Sequence, residues 1–126
     1  MTPIFTLRTA EGRTWFRPGE VIQGEASWQL EEEAEAVEIR LFWYTSGKGT
    51  RDVEVVDSLH TANAGSSGGR SFRLRVPDGP YSFSGTLITL SWAIELVVDP
   101  GGDTERLDLV IGPRPVEVEL PEPVDD

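Results

Sequence analysis

A chain of 126 residues with a formal net charge of −11 and no cysteine has room for one domain and neither disulfides nor thiolate chemistry. Twenty-two acidic residues against eleven basic ones repel phosphate backbones and anionic headgroups, so no nucleic-acid partner is expected. No apolar run reaches the roughly 20 residues of a membrane span, and residues 1–13 lack the basic leader and apolar core of a secretion signal; a soluble, cytoplasmic protein without membrane insertion is expected.

Thirteen glycines and nine prolines, with few uninterrupted helix-forming runs, favour an all-β chain rich in turns. Ile4–Arg8 reads as a first strand closed by the turn Ala10-Glu11-Gly12. Trp15 to Glu20 brings the chain to a corner, where Pro18 fixes its own backbone and Gly19 accepts angles that other residues avoid. From Val21 to Trp28, Ile22, Gly24, Ala26 and Trp28 share one face of a half-buried strand. Leu30 to Ala36 combines high helix propensity with four glutamates, and is expected to be an exposed connection with at most one helical turn. As a functional feature, Glu31, Glu32, Glu33 and Glu35 would form an acidic docking patch.

Val37 to Thr45 alternates cleanly, with Val37, Ile39, Leu41 and Trp43 on one side and Glu38, Arg40, Phe42 and Tyr44 on the other. The second side begins polar and ends aromatic, so Phe42 and Tyr44 are expected to be covered by a loop or a partner. Ser46 to Gly49 makes a hairpin turn, and Arg51 to His60 returns as a strand whose expected core contacts are Val53 and Val55. The polar, glycine-rich stretch Thr61 to Gly69 has little to bury and predicts a mobile loop. Phe72, Leu74 and Val76 resume a core face, with Arg73 and Arg75 outside; these arginines are expected to pair with the abundant glutamates.

The stretch Pro77–Val98 organises the rest. After a Pro-Gly turn and the aromatic bend Tyr81-Ser82-Phe83, Ile88, Leu90, Trp92, Ile94, Leu96 and Val98 fall at every second position, which is the period of a strand. A helix would gather Leu87, Leu90, Ile94 and Val97 but leave Ile88, Trp92 and Leu96 pointing elsewhere. Asp99 to Asp103 reads as a hairpin loop, Leu107, Leu109 and Ile111 as its return, and Val116, Val118 and Leu120 as a last strand. Seven or eight strands in one domain, residues 1–120, predict a β-sandwich of two antiparallel sheets, followed by a disordered acidic, proline-rich tail over 121–126.

The segment from Phe16 to Gly24, with its Pro-Gly-acidic corner leading into a strand, resembles the arrestin family. The spacing to Val37–Leu41 is similar, as is Phe72–Pro77 followed by Pro80–Gly85 and an apolar strand centred on Trp92. That resemblance covers most of Phe16–Val98 and implies an immunoglobulin-like sandwich serving as a non-enzymatic scaffold or adaptor, as in arrestins and bacterial sporulation-control proteins. Arrestins carry two such sandwiches, and this chain has room for one, so two copies associating as a homodimer is a further expectation.

Catalytic signals are sparse. His60 is the single histidine, and a nucleophile triad would need it as base with Asp52 or Asp57 as orienter, yet the sequence has no nucleophile elbow and Ser66-Ser67 lies in a glycine-rich stretch. Asp99, Asp103 and Glu105 lack the ligand density of a calcium loop. Gly65, Gly68 and Gly69 are not followed by the lysine and helix of a phosphate cradle. No catalytic residue, metal ligand or cofactor is therefore assigned. Two functions remain: a protein-interaction module acting through a sheet edge, Phe42 and Tyr44, or the glutamate patch; or a carbohydrate- or calcium-binding sandwich in which Trp15 or Tyr44 meets the ligand.

Overall fold

Strand structure runs through two stretches whose composition predicts connections, Leu30 to Ala36 and Thr61 to Gly69. The computed structural model describes residues 2–47, 51–85, 87–115 and 118–119. Its strands are β1 (Ile4–Thr9), β2 (Trp15–Phe16), β3 (Val21–Gly47), β4 (Val53–Arg75), β5 (Phe83–Ser84), β6 (Ile88–Asp99), β7 (Thr104–Ile111) and β8 (Val118–Glu119). The expected strand residues Val116 and Leu120, the turn residues Lys48 and Gly49, and the tail 121–126 lie outside the described residues.

The fold is an all-β sandwich made by one sheet curling over on itself. Strand β3 is 27 residues long and β4 is 23, and they pair antiparallel along almost their whole length. The first part of β3 lies between β1 and the end of β4, as in Phe5↔Trp28↔Gly68. Its second part lies between the start of β4 and β6, as in Tyr44↔Val53 and Trp43↔Trp92. Beyond β6 comes β7, paired from Trp92↔Leu109 to Val97↔Thr104. Two short pairings are parallel, β2 with β7 and β5 with β8.

The bend between layers corrects two expectations. Leu30 to Ala36 is neither a connection nor a helical turn but part of β3. There the register jumps from Gln29↔Ser67 to Ala34↔Gly65 and then Ala36↔Ala62, irregularities that bend a strand and sharpen its twist. Leu30 and Ala34 turn into the core and the four glutamates outward, while Ala36 lies buried on the outer face beside Glu38 and Arg40. Likewise, Thr61 to Gly69 is strand rather than loop. Asn63 and Gly65 adopt positive φ at the corner, 53° and 70°. Gly68 is needed for a different reason: a Cβ there would stand 2.8 Å from Cζ2 of the Trp28 ring. Gly68 thus seats the Trp28 indole, whose Nε1–H donates to the Ala64 carbonyl at 3.2 Å.

The inner faces meet in one core. Ile22, Trp28, Phe72 and Leu74 from the first layer meet Val37, Ile39, Leu41, Trp92, Ile94 and Leu96 from the second. The alternation in β6 is as expected from Leu90 to Val98, while Ile88 at its start is exposed. Trp92 is fully buried, and its Nε1–H donates to the Pro80 carbonyl at 2.9 Å. Buried Ser82 exchanges two hydrogen bonds with Ile111, from its N–H to the Ile111 carbonyl at 2.8 Å and from the Ile111 N–H to its Oγ at 3.0 Å. These bonds tie the turn Pro77–Phe83 to the floor of the sandwich.

A third expectation also fails. Val53 and Val55 point away from the core, 69% and 47% exposed. A register shift between Leu41↔Asp57 and Phe42↔Val55 makes Val56 the extra residue, so the inward phase passes to Val56 and Leu59, which pack against the core.

Candidate functional site

Opposite that core, the outer face of the second layer is set by register alone. Side chains directly across from one another point the same way, so Val53 and Val55 of β4 lie beside Tyr44 and Phe42 of β3. Arg40 of β3 faces Glu95 of β6, which in turn faces Arg106 of β7. Between Phe42 and β7 stands the small residue Ala93, so the long Arg106 side chain reaches across it.

Phe42 and Tyr44 are stacked, with ring centroids 5.9 Å apart and planes 29° from parallel. The Arg106 guanidinium carbon stands 5.2 Å from the Phe42 centroid and 5.1 Å from that of Tyr44. A cation held over ring faces in this way is attracted by about 0.5–1 kcal/mol at an exposed site. It covers Phe42, which is only 4% exposed, and leaves Tyr44 half-buried. The aromatic end is therefore capped from within the chain. Beside it runs a groove of about 430 Å³ lined by Phe42, Tyr44, Val53, Val55, Arg40, Arg51, Arg106 and Glu95, together with Thr45 and Ser46.

The charges around the groove are unequal in their commitments. Arg40 is bound to Glu38 through Nε at 3.1 Å and Nη2 at 3.2 Å. That hydrogen bond, opposed by some burial and helped by the nearby charges of Glu38 and Glu95, holds its guanidinium above its ordinary pKa. Arg51 and Arg106 have no ion pair among the described residues.

The sequence-predicted residues thus fall in two places. Phe42 and Tyr44 are together in this groove. Glu31, Glu32 and Glu33 line a separate one with Leu30, Val98 and Asp103, while Glu35 is exposed nearby in the chain. Arg51, Val53, Val55, Glu95 and Arg106 were not anticipated as site residues; they sit on three strands, and only the register brings them together.

Arg73 and Arg75, expected to pair with glutamates, form no ion pair among the described residues; other arginines do. Arg8 meets Glu25 directly across the β1–β3 ladder at 2.9 Å, and Arg13 meets Glu20. Arg70 instead donates to Thr61 Oγ1 at 2.8 Å and to the Ser71 carbonyl. A larger depression of about 620 Å³ over β1, β3 and β4 is lined by the paired Arg8 and Glu25 and by Arg73, with no aromatic pair or exposed valines beside it. Trp15 carries Arg17 over its ring at 5.2 Å and Arg13 at 5.8 Å, and its Nε1–H is given to the Gly112 carbonyl.

His60 is exposed on β4 opposite Glu38. Asp57, weighed as its orienter, accepts instead from the backbone N–H groups of Ser58 and Arg75. Ser66 and Ser67 are exposed strand residues. Asp99 and Asp103 flank a hairpin closed by Val98 N–H to the Asp103 carbonyl, and among the described residues no group of three or more His, Cys, Asp or Glu side chains could hold a metal ion. Among them too, no helix is long and apolar enough to cross a membrane.

No protein-family model matches the sequence, and no curated protein matches it. Among solved structures, the chain is similar to Spo0M, the sporulation control protein of Bacillus subtilis, with a TM-score of 0.56 and 12% identity over 89% of this chain. What the two share is the fold. The chain spans half the length of that protein.

Proposed function

We propose that this chain is a non-enzymatic, intracellular protein-interaction module of the arrestin type, and that it recruits a protein partner on the outer face of its second layer. One observation carries the proposal: Val53 and Val55 stand exposed beside a capped aromatic pair, on a strand whose other edge has no neighbour among the described residues. Adjacent exposed valines on an edge strand are what a folded protein avoids unless something covers them. The likeness to a sporulation control protein adds support for a regulatory role within the limits of a shared fold.

The test is a comparison of the wild-type chain with Val53→Asp/Val55→Asp as baits in lysate from the source organism. The proposal expects at least one protein to be retained by the wild type and lost with the double variant. Identical retention by both would place the binding surface elsewhere. Quenching of Tyr44 fluorescence by a sugar, with no protein retained, would favour a carbohydrate-binding module.

A further inference from the structure

The charge around the groove is the inverse of that of the whole molecule. The chain has twice as many acidic as basic residues, yet the groove is lined by three arginines and one glutamate. Arg40 is held by Glu38, and Glu95 stands between Arg40 and Arg106 in an ion pair with neither, so Arg51 and Arg106 keep their donors. The Arg106 guanidinium carbon lies within 5.2 Å of both ring centroids, so its charge is held over the aromatic pair. The rings attract the cation through its charge and take the place of no carbonyl or carboxylate acceptor for its five N–H donors. Those donors have no partner among the described residues. A guanidinium already held beside two rings has less freedom to lose on binding a carboxylate, and its unpaired donors can take a carboxylate as a two-pronged fork.

Resting on the reading of this face as a partner surface, we infer that the groove recognises an extended acidic peptide, setting a Glu or Asp side chain against Arg106 and an apolar side chain against Val53 and Val55. The two valines are two residues apart on one strand face, a separation of about 7 Å that matches the same-face spacing of an extended chain. A basic partner would meet like charge at the groove. The molecule's overall charge does repel an acidic peptide at long range, but screening confines that repulsion to about 8 Å at physiological salt. At contact the local arginines decide.

The experiment uses three labelled peptides that alternate valine with glutamate, glutamine or lysine, titrated by fluorescence anisotropy into the full chain, into Arg106→Gln and into Val53→Asp/Val55→Asp. The glutamate peptide should bind best, weaken with added salt, and lose about tenfold or more in affinity on Arg106→Gln, the scale of a hydrogen bond to a charged group. Arg106→Lys should restore part of the loss, because it returns the charge without the fork. Equal binding of all three peptides would overturn the inference while leaving the face a partner surface. So would preference for the lysine peptide, or binding of none while the valine variant still loses its lysate partner. Glutamate-peptide binding that both variants leave unchanged would overturn the inference and remove its support from this face.

Discussion

The Asp57 carboxylate accepts a hydrogen bond from the backbone N–H of Arg75 at 2.9 Å, across 18 residues of the same strand. Because β4 bends between layers, its start and its end come side by side, and a side chain from one half closes an N–H on the edge of the other. A free edge N–H is a site for pairing with another chain, and a carboxylate over it is one way of blunting the edge. Asp57→Ala should cost about 0.5–1.5 kcal/mol in urea unfolding and raise self-association at high concentration. Asp57→Asn, whose single amide oxygen can accept from only one of the two N–H groups that the carboxylate holds, should lie between Asp57→Ala and wild type. Light scattering on the three proteins checks both effects, and an unchanged Asp57→Ala would show that the contact is idle.

Gly68→Ala should destabilise the chain by about 1–3 kcal/mol, the range for forcing extra volume into packed surroundings. The added methyl would meet the Trp28 ring, which is buried and bound to the Ala64 carbonyl. Gly101→Ala tests a different cost, since its Cβ would meet nothing and only its φ of 110° opposes the change. Thermal melts with Trp fluorescence should show an altered Trp28 environment in Gly68→Ala alone.

Trp92→Phe should lower stability by about 1–3 kcal/mol, since it removes indole volume and leaves the Pro80 carbonyl without its donor. Amide exchange should report the same loss locally, with faster exchange at Ser82 and Ile111, whose paired hydrogen bonds hold the neighbouring turn. Unaltered exchange at those two amides would mean that the turn is held by other contacts.

Val53→Asp/Val55→Asp should fold with little penalty, about 0.5–1 kcal/mol per site, because exposed strand positions lose only β propensity. A large loss of stability would return these valines to the core, contrary to their exposure.

How far the fold could be read from the sequence depended on whether local chemistry and global position agreed. Leu90 to Val98 and Val37 to Leu41 are strands by every local measure, and they form the floor of the core. Glu31 to Glu35 and Thr61 to Gly69 have the composition of exposed linkers, yet both lie within strands, tied across the bend by Ala34↔Gly65 and Ala36↔Ala62. The small residues carry the signal: Ala34 is buried in the core and Gly68 lies against the Trp28 ring. Val53 and Val55 alternate correctly but face outward, since one extra residue at Val56 reverses the phase, and no local feature of Arg51 to Asp57 marks it. Of the site, Phe42 and Tyr44 were legible as an aromatic end that needed a cover. Arg106 was not, because it arrives from a strand more than sixty residues later, through a register that the sequence does not state.

The most direct measurement of the central claim is a heteronuclear NMR titration of the isotope-labelled chain with the valine–glutamate peptide. Binding at the outer face predicts shifts concentrated on the Val53 and Val55 methyls, the Tyr44 ring and the Arg106 side-chain N–H signals, with Glu31 to Glu35 unmoved. Shifts confined to another surface, or none at saturating peptide, would contradict it.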